Sequence, residues 1–104
     1  MSRSLSASRR RDKLEITRDI LNVSKDGIRK THIMYQANLS FKLLEAYVNR
    51  LVEQGLLRIV ENPYRTYTTT EKGIEFLKEF KDIERYMHLA VGKREVLAQM
   101  MPRV

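Results

Sequence analysis

One stretch in the first third of the chain has apolar residues at helical spacing. The stripe between residues 14 and 23 lies on one side of a helix at 100° per residue and consists of Leu14, Ile16, Thr17, Ile20, Leu21 and Val23. Asp26 and Gly27 follow, and glycine adopts the left-handed conformation that ends helices at little cost. We therefore predict a first helix over residues 12–24.

A short second helix is predicted over residues 31–37. Thr31 can cap its start by accepting a hydrogen bond from a free backbone amide. Ile33, Met34 and Ala37 then lie on one helix face. The three residues before Thr31 are too few for anything but a turn or a minor strand.

A third helix is predicted over residues 41–54. Ser40 can cap its first turn, and Gly55 supplies its end. The apolar side chains fall on one face, and that face consists of Leu44, Tyr47, Val48 and Leu51. The opposite face is largely polar, so this helix would present a surface to solvent.

Two short segments rich in β-forming residues follow, at residues 57–60 and 65–69. The four residues between them, 61–64, are turn types, so the pattern predicts a β-hairpin. Thr70 can then cap a last helix, and Glu71 lies favourably at the positive end of that helix. The helical pattern lasts to about residue 101, which corresponds to about 45 Å.

The last helix carries an apolar seam with spacings of four and three residues, which is typical of a coiled coil. The seam is interrupted by Arg94 and consists of Phe76, Phe80, Ile83, Met87, Ala90, Leu97 and Met101. Ile74 and Leu77 lie off the seam and are expected to pack on the chain's own domain. Leaving the seam in water costs ~25 cal/mol per Å², so we expect a homodimer through this helix. A helix that folds back at Gly92 is the alternative.

Together these elements predict a mainly α fold with a small β-hairpin wing, in the α+β class. Three helices followed by a hairpin give the order of a winged helix-turn-helix, here extended by a long C-terminal dimerisation helix. We expect three parts: a flexible basic arm over residues 1–11, a winged-helix DNA-binding domain over residues 12–73, and a coiled-coil helix over residues 74–101.

The charge of the chain indicates a polyanionic partner. The formal net charge is +7 and the pI is about 9.9, and five of the seven net charges lie within residues 1–37. Nucleic acid is the partner class that relieves such charge, although a solubilising tail is the alternative. On charge alone, we expect Arg9, Arg10 and Arg11 to contact DNA.

Three segments resemble a known family. Residues 30–44, KTHIMYQANLSFKLL, look like the helix-turn-helix signature of small archaeal winged-helix DNA-binding proteins, some of which are chromatin-associated. Residues 53–57 and 67–73 resemble the end of the third helix and the junction between wing and last helix in that family. The resemblance covers about residues 12–80. It implies a winged helix that dimerises through an antiparallel coiled coil and binds double-stranded DNA with modest sequence preference.

The resemblance implies that the third helix faces DNA. Carried over by position, the residues nearest the DNA are Ser40, Phe41, Lys42, Glu45 and Asn49. Lysine can contact phosphate or guanine, and asparagine can pair with adenine, whereas Glu45 accepts only from cytosine and otherwise repels phosphate. An acid there favours selectivity or a tilted helix. Alternatively, this polar face is simply solvated.

Lys30 and Thr31 at the start of the signature, and Tyr64 and Arg65 in the hairpin, complete the expected DNA-binding set. Arginine forks onto phosphate, and a tyrosine hydroxyl donates to it. Alternation along the second strand places Tyr67 on the same face as Arg65. Either Tyr67 is a core residue or it joins Arg65 at the backbone.

Chemistry other than binding is not indicated. The sequence contains no cysteine, which excludes a disulfide, a thiol nucleophile and a cysteine zinc site. His32 and His88 fall in different helices, so we expect no metal. No nucleophile elbow or phosphate-binding glycine loop is present, so we expect neither an enzyme nor a cofactor.

The sequence contains no apolar run of about 20 residues, and residues 1–11 are unlike a signal peptide. We therefore expect no membrane partner and a cytoplasmic, nucleoid-associated protein. The function would be that of a chromatin organiser or a transcriptional regulator. A winged-helix protein-interaction module without specific DNA binding is the competing class, because fold does not fix function.

Overall fold

The computed structural model describes the backbone of residues 11–100 and the side chains of residues 11–86. The predicted fold class is confirmed, because three helices and a two-stranded hairpin precede a long final helix. The elements are α1 (Lys13–Val23), α2 (Lys30–Gln36), α3 (Phe41–Glu53), β1 (Leu57–Val60), β2 (Thr66–Thr69) and α4 (Glu71–Met100).

Side-chain caps start α1 and α3, and of the two only the cap at Ser40 was predicted from the sequence. The Asp12 carboxylate accepts from the Glu15 amide at 2.8 Å, and the Glu15 carboxylate accepts from the Asp12 amide at 3.1 Å, which forms a capping box. The Ser40 hydroxyl accepts from the Leu43 amide at 3.2 Å. Each cap satisfies amides that the helix itself leaves unpaired.

The start of α2 differs from the prediction. The helix begins at Lys30 with Arg29 as its N-cap, and none of the described side chains caps it. The predicted cap at Thr31 is wrong, because Thr31 is already helical and exposed. The preceding Ile28 explains the earlier start: it exchanges backbone hydrogen bonds of 3.1 Å and 2.8 Å with Tyr67, so the chain arrives at α2 as a minor strand beside the wing.

The wing is an antiparallel pair in which Leu57 lies opposite Thr69 and Val60 opposite Thr66. Tyr67 is buried, which settles the alternative in favour of the core. The Thr69 hydroxyl donates to the Leu21 carbonyl at 2.7 Å. The base of the wing is thus hydrogen-bonded to the end of α1 inside the core.

The core draws residues from all three short helices and from the hairpin. Its buried members are Ile16, Ile20, Leu21, Ile33, Ala37, Leu39, Leu44, Val48, Leu51, Leu56, Leu57 and Tyr67. Leu14 belongs to the apolar stripe of the sequence but is exposed. The core therefore holds α1, α2, α3 and the wing as one unit.

Gly73 sets how closely α4 approaches the wing. A Cβ atom at this position would lie 2.6 Å from the Leu56 carbonyl oxygen and 2.5 Å from the Thr69 Cγ2 atom. Thr70 caps α4, as predicted, because its hydroxyl accepts from the Gly73 amide at 3.1 Å. The junction thus needs glycine for space, and it fixes the direction in which α4 leaves the domain.

In the first turns of α4, Leu77 packs against the core, as expected, but Phe76 and Phe80, which were assigned to the seam, are also covered. Phe80 is 8% exposed, and the Arg18 guanidinium lies 5.1 Å from its ring centroid. Phe76 packs against the core, whereas Ile74, which was expected to do so, is exposed. The expected placement of Phe80 in an open seam is therefore wrong, because α1 covers it within one chain.

The seam beyond Phe80 remains exposed where it is described. Ile83 is 51% exposed. The side chains of Met87, Ala90 and Leu97, and the whole of Met101, lie outside the described residues. Within residues 11–100, no helix is both long and apolar enough to cross a membrane.

Arg11 is a structural residue of the domain, in contrast to the arm role expected for it. Its guanidinium donates to the Asp19 carboxylate, to the Ala37 carbonyl and to the Asn38 carbonyl, each at 2.7 Å. Asn38 has a positive φ of 56° in the turn between α2 and α3. Arg11 therefore ties α1 to that turn, while Arg9 and Arg10 lie outside the described residues.

Replacing Arg11 should weaken the fold. Arg11→Ala removes three charge-assisted hydrogen bonds and should lower the free energy of unfolding by about 1–3 kcal/mol, as measured in urea. Arg11→Lys should restore only part of this, because an ammonium lacks the guanidinium fork. The exposed Lys13→Ala is the matched control, expected within about 0.5 kcal/mol. An Arg11→Ala variant as stable as the unaltered chain would show that Arg11 does not stabilise the fold.

Candidate nucleic-acid interface

The outward face of α3 is the centre of the candidate interface. Its exposed side chains include Phe41, Lys42, Asn49 and Arg50. Ser40, directly before the helix, is also exposed. The buried stripe on the other side of α3 fixes this orientation, since residues on opposite faces of a helix cannot both be turned inward. Four of the five α3 residues expected at DNA are therefore together at the surface, and Arg50 is an addition.

Glu45 and Lys30 form an ion pair, which the sequence analysis did not foresee. The Lys30 ammonium lies 3.0 Å from the Glu45 carboxylate, and the hydrogen bond to that carboxylate raises the pKa of Lys30. Both side chains are partly covered. The pair joins the start of α2 to the second turn of α3, and it neutralises the acid that would otherwise repel phosphate.

The Lys30 ammonium also approaches two aromatic rings. It lies 6.0 Å from the ring centroid of Phe41 and 5.8 Å from that of Tyr67. These distances are within the range of cation–π attraction. Lys30 thus contacts α3 and the wing from its position in α2. These contacts could not be predicted from the sequence, because the partners are far apart along the chain.

Arg29 and Tyr64 meet at the edge of the wing. The Arg29 guanidinium carbon lies 4.0 Å from the centroid of the Tyr64 ring, and both side chains are exposed. Tyr64 was expected at DNA from the sequence, whereas Arg29, one residue before the signature segment, was not. The stack brings a guanidinium and a phenol together, and both groups can donate hydrogen bonds to a phosphate.

Arg65 is held by Glu61 within the wing tip. Two guanidinium nitrogens donate to the Glu61 carboxylate at 2.7 Å and 3.3 Å, and this contact raises the pKa of Arg65 and lowers that of Glu61. Both groups are exposed, so water screens the pair and its net stabilisation is small. A phosphate can therefore replace Glu61 as the partner of Arg65 at little cost.

A cleft of about 320 Å³ lies beside the outward face of α3, between that helix and α1. Two cations, Lys13 and Arg50, lie at this cleft, and its described lining includes no acid. Among the described histidine, aspartate and glutamate side chains, no group of three could hold a metal ion. Together, the outward face of α3, the wing and the cleft offer cations, amides and aromatic rings, while the exposed acids Glu53 and Glu61 lie at the end of α3 and in the wing.

Comparison with proteins of known structure supports the fold. Sso10a-2, a DNA-binding protein from Sulfolobus solfataricus, superimposes with a TM-score of 0.80 at 23% identity, over 90% of this chain and 100% of that one. MepR, a transcription regulator of the Staphylococcus aureus multidrug efflux pump MepA, gives a TM-score of 0.65 at 18% identity, over 82% of this chain and 70% of that one. At these identities the likeness concerns the fold.

Sequence comparison identifies the family. Uncharacterized protein MJ0290 of Methanocaldococcus jannaschii is 32% identical over 87 residues, which are 83% of this chain and 40% of that protein. The chain thus spans about two fifths of the length of this relative. Residues 10–88 match the winged helix-turn-helix family. The match includes every element from α1 to the first half of α4, and the chain belongs to the winged helix-turn-helix family.

Proposed function

We propose that the chain binds double-stranded DNA as a homodimer, with α3 in the major groove and the wing on the sugar-phosphate backbone. One observation carries the proposal: α3 exposes Lys42 and Asn49, while the intervening acid, Glu45, is paired with Lys30 at 3.0 Å. An α-helix fits the width of the major groove. With Glu45 paired, the first turns of α3 can approach the phosphates on either side of that groove without repulsion from this acid, and the other acid of the helix, Glu53, lies in its last turn.

The similar structures support the same class of function. One is described as a DNA-binding protein and the other as a transcription regulator. From these descriptions we infer binding rather than catalysis. The net charge of +7 favours a polyanion as the partner.

Residues around α3 would hold the backbone. Arg29 stacked on Tyr64 lies at the wing, and Arg65 would exchange Glu61 for phosphate. Lys13 and Arg50 would follow the backbone on the α1 side. Exposed Thr31 would donate a further hydrogen bond, and Arg9 and Arg10 would add charge from the arm.

We favour a nucleoid-associated organiser over a regulator of single sites. Most of the proposed contacts go to phosphates, which carry no sequence information. An organiser binds most duplexes alike with a steep salt dependence, whereas a regulator prefers its site by about 10³-fold or more. Competition between a promoter fragment and bulk DNA at two salt concentrations separates the two roles.

The dimer would form through the part of α4 that extends beyond its own domain. Phe80 ends the buried stretch, and Ile83 is the first seam residue that remains largely exposed. The seam predicted from the sequence continues to Met101. A second copy covers such a seam in a self-complementary way, because a two-fold interface uses the same patch twice.

Substitutions on α3 test the DNA proposal. Lys42→Ala should weaken binding to all duplexes and reduce the slope of log K against log salt by about 0.9 for each phosphate that the protein no longer neutralises. Asn49→Ala should instead change the preference among sequences, because an asparagine amide pairs with adenine. Fluorescence anisotropy with labelled duplexes at several salt concentrations measures both.

The matched control is Lys78→Ala, which removes the same charge from an exposed position on α4. It should leave the salt slope nearly unchanged. If both α3 variants bind duplex DNA as the control and the unaltered chain do at low salt, α3 is not the DNA-binding helix. If the unaltered chain itself binds no duplex, the winged domain is a protein-interaction module instead.

A substitution at Ile83 tests the dimer. Ile83→Lys should shift the chain from dimer to monomer in sedimentation equilibrium, because it places a charge in the apolar seam. Circular dichroism should remain that of a folded domain, since Ile83 is 51% exposed in the single chain. Asp82→Lys adds the same side chain at the neighbouring, exposed position and should leave the dimer intact. Equal masses for both variants would exclude this seam as the interface.

A further inference from the structure

Phe41 is an apolar side chain in an unexpected place. It is the first residue of α3, and 56% of it is exposed even though the helix has a fully formed apolar face elsewhere. Side chains in a helix lean toward its N-terminus. The ring therefore extends toward the end of α3 that, in helix-turn-helix proteins, approaches the base edges. The core is complete without this ring, so packing within the described residues does not explain why an apolar side chain stands here.

Two polar groups near Phe41 already have partners within the protein. The Lys30 ammonium lies 6.0 Å from the ring centroid and donates to Glu45, one turn further along α3. The Ser40 hydroxyl accepts from the Leu43 amide. The ring thus lies beside an ammonium and a hydroxyl that each already make a contact within the protein.

The major groove contains one apolar group that such a ring can contact. Thymine carries a 5-methyl group there, whereas cytosine offers an amino donor at the neighbouring position. Glu45, the acceptor that would suit cytosine, is engaged by Lys30. A phenyl ring at this position gains an apolar contact with the thymine methyl group, whereas cytosine has only a hydrogen atom at that carbon.

We propose that Phe41 recognises the 5-methyl group of thymine, so that the chain prefers duplexes with thymine under the first turn of α3. The inference rests on the proposed function, since it names the base chemistry that α3 would contact. The proposed preference for thymine arises from apolar contact and not from hydrogen bonding.

The test compares two duplexes that differ only in this methyl group. One is an alternating dA–dT duplex, and the other contains deoxyuridine in place of every thymidine. The unaltered chain should bind the deoxyuridine duplex about fourfold more weakly for each methyl group contacted, the factor expected for one buried methyl. A dG–dC duplex and its 5-methylcytosine counterpart provide the reciprocal pair, in which added methyl groups should strengthen binding.

Protein variants separate direct contact from changes in duplex shape. Phe41→Ala should bind the dA–dT and deoxyuridine duplexes with equal affinity, whereas Phe41→Leu, which keeps an apolar side chain, should retain part of the discrimination. Both substitutions are at an exposed position, and circular dichroism with urea unfolding verifies that the variants remain folded.

The outcomes are distinct. Equal binding of the unaltered chain to both duplexes would overturn thymine recognition and leave DNA binding standing. Discrimination that persists in Phe41→Ala would also overturn it, because the methyl groups would then act through duplex shape. A chain that binds neither duplex in dilute buffer would overturn the proposed function and this inference together.

Discussion

The burial of one face of α3 determines what the rest of the molecule can do. Leu44, Val48 and Leu51 are 0–3% exposed and pack into the common core. Each such side chain contributes about 1.5–3 kcal/mol, whereas an exposed ion pair contributes about 0–1 kcal/mol. The apolar stripe therefore sets the rotation of α3, and with it the residues that face outward. The polar contacts of Lys30 and Arg11 adjust a geometry that the core has already fixed.

Those polar contacts nevertheless affect how charge is distributed over the surface. Lys30 removes the negative charge of Glu45 from the outward face of α3, and Arg11 closes the turn that leads into α3. Both contacts join elements that are distant in the sequence. A surface suited to a polyanion thus results from a small number of internal pairings as well as from the overall excess of lysine and arginine.

The elements could be predicted from the sequence because their signals are local. Periodicity indicated α1 and α3, the capping type of Ser40 indicated the start of α3, and turn residues indicated the hairpin. The roles of Arg11, Glu45 and Phe80 could not be predicted, because each depends on a partner in another element. In the sequence, Arg11 is one of three consecutive arginines and looks like part of the arm. The spacing of Phe80 fits a heptad position, and the sequence alone does not show that α1 covers it.

The outward face of α3, flanked by the wing, is the surface that we propose meets DNA. A titration of the ¹⁵N-labelled chain with a short duplex at low salt tests this directly, because every backbone amide reports its own environment. We expect the largest shifts over residues 40–50 and in the wing tip, with the core amides of α1 nearly unmoved. Shifts concentrated on α1 and α4, with α3 unchanged, would contradict the proposal.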